Sequence, residues 1–410
     1  MADNIIFHID VNSAFLSWEA SKRLQENPEA LDIRTIPAVI GGNEKLRHGI
    51  VLAKSVPAKK FGIHTGEPLV SARKKCPELV VIPPDFRLYV ETSNKFIDYL
   101  KSIAPDVDQY SIDEAFCDLT GTSAIYGDHL ALAYRMKSEI SQKFGFTVNI
   151  GISTNRLLAK MASDFEKPDK VHTLFPEEIP EKMWPLPIGS LFSVGRSTKD
   201  KLISLGFHTI GDVAKCDRNL LISHFKKHGD TIWNYANGYD LGAVQKNSAS
   251  KSYGNSLTLH YDVTDKETAK MILLSLCETV GARIRADHCY ISVVSVNTTD
   301  CDFNQQSKQC TLDNSTNITE EIYNCAVNLL DEMWTQQPIR LIGVSTSHVT
   351  DAPTRQVSMF DTPQDMQLSK LNAAVDKIRQ KYGEDSIKRA RFIDNEYSHM
   401  TSGLSKEKRK

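Results

Sequence analysis

Two acidic segments, far apart in the chain, contain the residues best suited to chemistry. Asp10 ends the run Ile5-Ile6-Phe7-His8-Ile9, and Asp113 and Glu114 lie within Tyr110-Ser-Ile-Asp-Glu-Ala-Phe116. Short runs rich in β-branched and aromatic residues are typical of buried strands. If the two strands are neighbours, the three carboxylates converge on one small volume.

Three carboxylates in one place need a compensating cation to stay ionised together. Mg²⁺ suits them, because it prefers hard oxygen ligands and binds through one or two carboxylates together with substrate phosphates. This arrangement is typical of two-metal phosphoryl transfer. Each half alone has a plainer reading, since an Asp that ends a strand is often a turn former or a helix cap, and Asp113-Glu114 suits a hairpin tip.

The sequence around these carboxylates resembles that of the Y-family (UmuC/DinB-like, impB/mucB/samB) translesion DNA polymerases. The matching segments extend over nearly the whole chain, and they are Asp10-Val11-Asn12 with Phe15, Tyr110–Phe116, Gly151-Ile-Ser-Thr-Asn155 and Glu166-Lys-Pro168. The resemblance implies an α+β multidomain fold of the right-hand polymerase type. Its parts would be a ferredoxin-like palm, small fingers, a helix-hairpin-helix thumb and an α/β little-finger domain.

The length of 410 residues suggests two to four domains. The resemblance and the breaks in pattern predict the following parts: a palm over 1–167 with the fingers inserted at about 20–76, a thumb over 168–240, a linker over 241–250, a little finger over 251–350, and a C-terminal tail over 351–410 with a helix from Asp365 to Tyr382.

Hydrophobic periodicity predicts the individual elements. Strands are expected at 4–10, 36–40, 50–54, 79–82, 106–111, 115–119, 147–152, 253–259, 289–297 and 340–348. Helices are expected at 13–25, 56–61, 68–76, 86–103, 125–144, 155–165, 267–286 and 316–334. Disorder is expected from about residue 395.

By resemblance, Asp10 and Asp113 bridge two Mg²⁺ ions, and Val11 adds its backbone carbonyl. Glu114 holds the ion that lowers the pKa of the primer 3′-hydroxyl, or helps to orient that hydroxyl. The implied reaction is in-line attack of the hydroxyl on the α-phosphate of a dNTP. Phe15 is then the steric gate that excludes a ribose 2′-hydroxyl, although an aromatic residue at this position is also normal in a core.

Triphosphate contacts are expected from Lys59 and Lys167, with Ser55 or Lys54 as further donors. The segment 53–59 departs from the family pattern, because Ala53 and Val56 stand where a hydroxyl residue and a tyrosine are usual, and Lys59 stands where arginine is usual. Each lost hydrogen bond to a charged phosphate is worth roughly 1.5–3 kcal/mol. Weak nucleotide binding, or an inactive polymerase, therefore stays open.

DNA contacts are expected in two places. Gly195 and Arg196 belong to a candidate helix-hairpin-helix turn, which presents backbone N–H groups to phosphates, and a plain helix pair is the alternative. Lys251, Ser252 and Asn255 lie on the first little-finger strand. Residues 246–350 contain eight basic and twelve acidic residues. Unaided DNA binding is therefore expected to be weak and salt-sensitive.

The segment Gln356-Val-Ser-Met-Phe360 resembles the peptide that binds the bacterial sliding clamp. In such peptides the glutamine fixes the register, as Gln356 would here, and two apolar side chains, Met359 and Phe360, enter a pocket. Short motifs of this kind also arise by chance. Tethering to a clamp would raise the effective concentration of the protein at the primer end.

The composition is that of a globular protein with a net charge of −2 and eight scattered cysteines, none in a Cys-x-x-Cys pair. No signal peptide or membrane span is apparent, so a monomer in the bacterial cytoplasm is expected. The leading hypothesis is a template-directed DNA polymerase acting on primer-template DNA and dNTPs. The alternatives are a non-catalytic DNA- and clamp-binding relative, and another palm-type enzyme such as a nucleotidyl cyclase. The sequence leaves open whether the chain is nearer the polymerase IV or the polymerase V branch of the family, with Asp10-Val11-Asn12 as a hint toward the latter.

Overall fold

The computed structural model describes residues 4–42, 49–240, 250–352, 363–393 and 399–400. These residues form two compact units, one holding residues 4–42 and 50–240 and the other holding the residues from 250 on. Within the described residues, no helix has the length and apolar character needed to cross a membrane. The proposed linker at 241–250 lies, except for Ser250, outside the described residues.

The first unit alternates strands and helices up to residue 173 and is helical beyond it. Its strands are β1 (Ile6–Val11), β2 (Ala38–Gly41), β3 (Val51–Lys54), β4 (Val80–Ile82), β5 (Asp106–Gln109), β6 (Glu114–Asp118), β7 (Val148–Ser153) and β8 (Val171–Thr173). Its helices are α1 (Ala14–Glu26), α2 (Val56–Lys60), α3 (Leu69–Lys75), α4 (Phe86–Lys101), α5 (Ser123–Tyr126), α6 (His129–Phe144), α7 (Arg156–Ser163), α8 (Arg196–Ser204), α9 (Ile210–Lys215), α10 (Arg218–Phe225) and α11 (Lys227–Ala236).

A five-stranded sheet in the order β5-β6-β1-β7-β8 forms the base of this unit. The central strand β1 pairs antiparallel with β6 and with β7. Successive side chains of a strand point to opposite faces. Phe7 and Ile9 are therefore buried in the main core with side chains of α1, α4 and α6, whereas Ile6 packs with Ala159 of α7. Helix α7 thus covers the face that also carries His8 and Asp10.

A second, smaller sheet in the order β3-β2-β4 carries α2 and α3. It has a separate core that includes Val39, Val51, Ala58, Leu69 and Cys76. Further along the chain, α8 to α11 enclose another core with side chains of α7. Two separate small cores agree with a mixed α/β unit in which a fingers-like insertion and a helical segment flank the main sheet.

The second unit is a four-stranded antiparallel sheet with helices. Its strands are β9 (Ser252–Val263), β10 (Tyr290–Asp300), β11 (Gln305–Thr316) and β12 (Ile339–Thr350), and their order is β11-β10-β12-β9. Its helices are α12 (Lys266–Ala286), α13 (Thr319–Met333) and α14 (Pro363–Tyr382). Helices α12 and α13 share one apolar core with the strands.

The C-terminal part is more than the tail that the sequence predicts. Helix α14 and the turns after it bind α12 and α13 through charged side chains. Glu278 of α12 is 3% exposed, and it accepts hydrogen bonds from Arg379, at 3.3 Å, and from Arg389. His399, which is fully buried, lies 3.6 Å from the same carboxylate. The disorder expected from about residue 395 is therefore wrong at His399, and otherwise lies outside the described residues.

Most predicted elements are confirmed to within a few residues, but one predicted helix needs correction and two strands were not predicted. The expected helix 125–144 is broken at Gly127, whose φ of 72° belongs to the left-handed region, and Asp128 caps the new start at His129. Strand β8 was missed because it is short. Strand β11 was missed because its sequence is polar and has no hydrophobic alternation.

Candidate active site

Pairing of β1 with β6 brings the predicted carboxylates together. Asp10 stands directly opposite Glu114 in the antiparallel register. The Val11 N–H donates to the carbonyl oxygen of Asp113 at 3.0 Å, so Asp113 lies at the same end of the two strands. Side chains directly opposite each other on neighbouring strands lie close together. The register thus brings Asp10, Asp113 and Glu114 to the same end of the two strands, while the convergence of their side chains on one metal site stays a prediction.

The environment of Asp10 and Asp113 disfavours their charged forms. The pKa of Asp10 is raised to about 6, chiefly by burial; Lys167 opposes the rise, and the neighbouring carboxylates Glu114 and Asp113 add to it. Burial likewise raises the pKa of Asp113, although the Ser111 hydroxyl donates to its carboxylate at 2.6 Å. Both carboxylates would therefore be stabilised by an additional positive charge.

Lys167 contributes the positive charge nearest to Asp10. Its ammonium forms an ion pair with the Asp10 carboxylate and another with Asp164 at 2.7 Å. Burial lowers the pKa of this lysine, but the two carboxylates outweigh burial and raise it overall. The sequence predicted a triphosphate contact for Lys167, and the structure instead places its ammonium on the carboxylates.

Glu114 has partners that the sequence did not reveal. Its Oε2 atom accepts hydrogen bonds from Lys160 and from His8, whose Nε2 atom lies 3.1 Å away. Burial raises the pKa of Glu114, but these two partners outweigh it and bring the pKa to about 2. The available signals were the position of His8 two residues before Asp10, on the same face of a strand, and the helical pattern of α7.

The donor set fits Mg²⁺, although no ready-made cage is found. Among the described residues no three His, Cys, Asp or Glu side chains surround a common point as metal ligands do. In this arrangement Asp10 binds Lys167, and Glu114 binds Lys160 and His8. The carboxylate oxygens of Asp10 and Asp113 are nevertheless hard ligands, and additional positive charge would stabilise them. Mg²⁺ prefers ligands of this kind and would supply that charge. Val11 is the last residue of β1, and its N–H donates a hydrogen bond to the carbonyl oxygen of Asp113.

Phe15 lies in the first turn of α1, five residues after Asp10. Its ring is stacked on that of Tyr89, with centroids 4.4 Å apart and an angle of 7° between the planes. Phe86 meets Phe15 edge-on at 6.3 Å. Phe15 is only partly buried, so one part of the ring packs on the core and another part is accessible. This position suits both a core residue and a gate beside the carboxylates.

The lysines and the serine of the 53–59 segment differ in their availability. The Ser55 hydroxyl caps α2 by accepting from Ala58 N–H at 3.1 Å, and it donates to the carbonyl oxygen of Ile36 at 2.7 Å. Its single hydrogen is therefore committed to the backbone, and the expected phosphate contact would need that bond to break. Lys59 is exposed on α2. The pKa of Lys54 is lowered mainly by burial and also by the positive charge of Lys59. These two lysines therefore lie close together.

Models of the impB/mucB/samB family match this chain at residues 9–164, its C-terminal domain at 250–359 and its helix-hairpin-helix motif at 176–207. The DNA polymerase IV of Clostridium acetobutylicum is 47% identical over 394 residues, which cover 96% of this chain and 99% of that protein. The chain belongs to this family. The DNA polymerase IV of Acetivibrio thermocellus is 34% identical over 95% of this chain and 98% of that protein.

The fold is also that of a Y-family polymerase. A chimera of the Y-family DNA polymerases Dbh and Dpo4 superposes with a TM-score of 0.72 over 85% of this chain and all of its own, at 23% identity. The chain is thus a DNA polymerase of the impB/mucB/samB family, and it has the right-hand fold of a Y-family polymerase and the helix-hairpin-helix motif expected from sequence. The relatives named above are DNA polymerases IV and do not support the preference of Asp10-Val11-Asn12 for the polymerase V branch.

The predicted DNA contacts of this Y-family chain lie on both units. Gly195 caps the N-terminus of α8 without a side-chain hydrogen bond, and Arg196 begins that helix at the surface. Lys251 and Ser252 are exposed at the start of β9, and Asn255 lines a shallow depression with Ser256, Asn297, Val344 and Ser345. The predicted clamp residues Gln356, Met359 and Phe360 lie outside the described residues.

Proposed function

We propose that this Y-family DNA polymerase extends a primer strand at the ends of β1 and β6, with Asp10, Asp113 and Glu114 as its acidic centre. The observation that supports the proposal most strongly is the register that sets Asp10 opposite Glu114, with Asp113 bonded through its carbonyl to Val11. Burial and mutual repulsion leave Asp10 and Asp113 in need of cationic partners. A site of this kind can recruit divalent ions together with a triphosphate.

In the proposed reaction the primer 3′-oxygen bonds to the α-phosphorus of a dNTP while the bond to the β-phosphate breaks and pyrophosphate leaves. Two bound Mg²⁺ ions would lower the pKa of the 3′-hydroxyl and offset the charge on the phosphates. Asp10 and Asp113 would hold these ions, with Glu114 beside them, and the Val11 carbonyl is a further candidate ligand. Lys167 would move from Asp10 to the triphosphate, which Lys59 and Lys54 would contact from α2 and β3.

Two further features of the site would define its substrate. Phe15, held by its stack on Tyr89, would meet the sugar of the nucleotide and exclude a 2′-hydroxyl. Gly195 and Arg196 on one unit, and Lys251, Ser252 and Asn255 on the other, would contact the backbone of primer-template DNA. The eight free cysteines agree with action in a reducing compartment such as the bacterial cytoplasm.

Primer extension with Mg²⁺ and dNTPs tests the proposed activity. Wild-type protein should extend the primer, Asp113→Ala should lose at least about a hundredfold in rate because a metal ligand is removed, and Asp98→Ala, which removes an exposed carboxylate of α4, should match the wild type. Normal DNA binding without extension by the wild type would instead support the non-catalytic alternative and point to Ala53 and Val56.

We also propose that residues 356–360 bind a bacterial sliding clamp. The support is the sequence Gln356-Val-Ser-Met-Phe360 alone. A protein with alanine at Gln356, Met359 and Phe360 should extend primers like the wild type when no clamp is present. With a loaded clamp, only the wild type should gain processivity, since tethering raises the local concentration. Equal stimulation of both proteins would contradict this assignment.

A further inference from the structure

The face of β1 that carries Asp10 also carries a buried histidine, His8. Its side chain is fully enclosed, with the imidazole 4.7 Å from the ring of Phe116. Helix α7 covers this face and places Lys160 and Ser163 near the histidine. The contact of its Nε2 atom with Glu114 joins this buried residue to the acidic centre.

Both ring nitrogens of His8 have defined partners. Nδ1 lies 2.7 Å from the Ser163 hydroxyl, and Nε2 lies 3.1 Å from Oε2 of Glu114. An ionised carboxylate can only accept, so Nε2 must carry a proton whatever the charge of the ring. In the neutral ring, Nδ1 is then an acceptor for the Ser163 hydroxyl.

The Ser163 hydroxyl has a competing acceptor, the carbonyl oxygen of Lys160 at 2.8 Å. If its proton went there, Nδ1 of a neutral ring would have to be the protonated nitrogen. The lone pair of Nε2 would then face the Glu114 carboxylate in a buried site, which is costly. The arrangement that satisfies the most groups therefore runs from Ser163 through His8 to Glu114.

The two oxygens of Glu114 differ in their surroundings. Oε2 accepts from both His8 and Lys160. Within the described part of the chain, no hydrogen bond is recorded to Oε1. The carboxylate is thus anchored through one oxygen, and the other is the oxygen that remains for a cation or a water molecule.

We propose that His8 is a positioning residue for the acidic centre: supported by Ser163 and acting with Lys160, it anchors Glu114 through Oε2 and so presents Oε1 as a ligand. This inference rests on the proposed function, because it assigns a role at the same site. Buried partners that orient a metal ligand typically contribute about 10–100-fold to metal affinity or activity. His8 touches neither substrate nor reacting atoms in this assignment, and it acts through Glu114.

The hydrogen-bond chain can be tested without catalysis. Long-range ¹H–¹⁵N spectra of metal-free protein with ¹⁵N-labelled histidine report which nitrogen carries the proton, and the His8 signals are those that vanish in His8→Phe. We expect protonated Nε2 and unprotonated Nδ1 in the wild type, with the Nδ1 resonance moved in Ser163→Ala. Protonated Nδ1 with bare Nε2 would overturn the proposed chain.

The positioning role is tested by metal binding and kinetics. Mn²⁺ binding to DNA-free protein, followed by electron paramagnetic resonance, should weaken about tenfold in His8→Phe, which keeps a ring but loses the donor. His8→Gln should recover most of this loss, because its amide can donate to Glu114. In primer extension, kcat should fall about tenfold in His8→Phe while KM for dNTP changes less than about twofold, since Glu114 does not bind the nucleotide.

His129, which takes no part in the hydrogen bonds from Ser163 through His8 to Glu114, serves as the control. His129 packs edge-on against Phe7 and makes a 3.4 Å contact with Thr122, so His129→Phe should leave Mn²⁺ affinity and kcat unchanged. If His8→Phe does not fold, His8→Gln identifies the His8 signals by their loss, and the wild type and Ser163→Ala still report the tautomer. An active wild type whose His8→Phe variant keeps its metal affinity and kcat would overturn the inference. An inactive wild type with weakened Mn²⁺ binding in His8→Phe would overturn the polymerase proposal and support the positioning role.

Discussion

Two carboxylates at the same strand ends experience opposite environments. Asp10 has a pKa raised to about 6 by burial and by its acidic neighbours, whereas Glu114 has a pKa near 2, because Lys160 and His8 outweigh its burial. Folding therefore disfavours the ionised form of Asp10 and favours the ionised form of Glu114. Metal-free protein should reveal this difference in its stability.

For Asp10, the native pKa exceeds the unfolded value, so ionisation lowers stability as pH rises from about 4 to 6, and the full cost is present above about pH 6. In chelator at about pH 8, Asp10→Asn should raise the free energy of unfolding by roughly 1–3 kcal/mol, and the gain should vanish below about pH 4. Denaturant unfolding across this pH range measures the difference. Lower stability of the variant at pH 8 would contradict the assigned environment.

For Glu114, the native pKa lies below the unfolded value, so its contribution is present above about pH 4.5 and is lost as pH falls toward about 2. Glu114→Gln should therefore destabilise the metal-free protein at neutral pH, the opposite sign to Asp10→Asn. The same unfolding series provides the comparison, and two variants of equal sign would reject the distinction between the sites.

Phe15 provides a further prediction for a single residue. Replacing Phe15 with alanine removes the ring stacked on Tyr89 and should increase the rate of ribonucleotide incorporation at least about tenfold relative to dNTP, because the clash with the 2′-hydroxyl is removed. Phe144→Ala is a matched control, since Phe144 stacks on Phe146 with centroids 5.6 Å apart in the same core. Both variants should lose stability, but only Phe15→Ala should lose sugar selection.

The residues that sequence reasoning identified are those whose chemistry is visible in a short motif. The Asp-Val-Asn and Ser-Ile-Asp-Glu segments predicted the convergence of Asp10, Asp113 and Glu114. His8 and Lys160 were not assigned to the site, because their role depends on α7 packing over β1, which neither segment encodes. The Ser55 hydroxyl could not be judged from sequence either, since its acceptor lies on the backbone of another segment.

Among the elements, α14 departs furthest from expectation. Periodicity and Gly383 predicted the helix itself, and the helix does end before Gly383, whose φ is 96°. Its docking was not predictable, because the contacts are ionic: Arg379 and Arg389 reach Glu278, and Asp376 binds Arg285 at 2.5 Å. Charged residues on a helix are normally read as a solvated face.

Glu278 should therefore be critical for the attachment of α14. Glu278→Gln leaves Arg379 buried without its charged partner, which costs roughly 3–5 kcal/mol. We expect faster amide hydrogen exchange in α14 and earlier proteolytic cleavage near its ends. Glu332→Gln, which breaks a surface pair with Lys308 at 2.6 Å, should cost less than about 1 kcal/mol and leave exchange unchanged. Equal protection of α14 in both variants would mean that apolar contacts hold the helix.

At the scale of the whole molecule, charge is nearly balanced, with 49 basic and 51 acidic residues. Several lysines that could meet DNA are already paired within the protein, such as Lys266 and Lys270 with Asp331. These lysines are therefore less available to phosphate, and backbone N–H groups of α8 and polar side chains of β9 would contribute to DNA binding.

Binding to primer-template DNA without a clamp should accordingly be weak and should decrease moderately as the salt concentration rises. Between about 50 and 200 mM salt we expect roughly a tenfold or greater loss of affinity, the value for two to three phosphate contacts. Fluorescence anisotropy with labelled DNA measures how the affinity changes with salt concentration. Lys251→Met should reduce the slope of this dependence by about the amount expected for one phosphate contact. A flat salt response would contradict a backbone-directed mode of binding.

Strand β11 is an edge of the second sheet and has a paired neighbour, β10, on one side only among the described strands. An edge of twelve residues offers a row of backbone groups to any other chain, and such edges favour aggregation when they are apolar. Here the edge carries Gln305, Gln306, Ser307 and Lys308 in succession. The polarity that hides β11 from a search for hydrophobic alternation thus also disfavours edge-to-edge pairing of folded molecules through this strand.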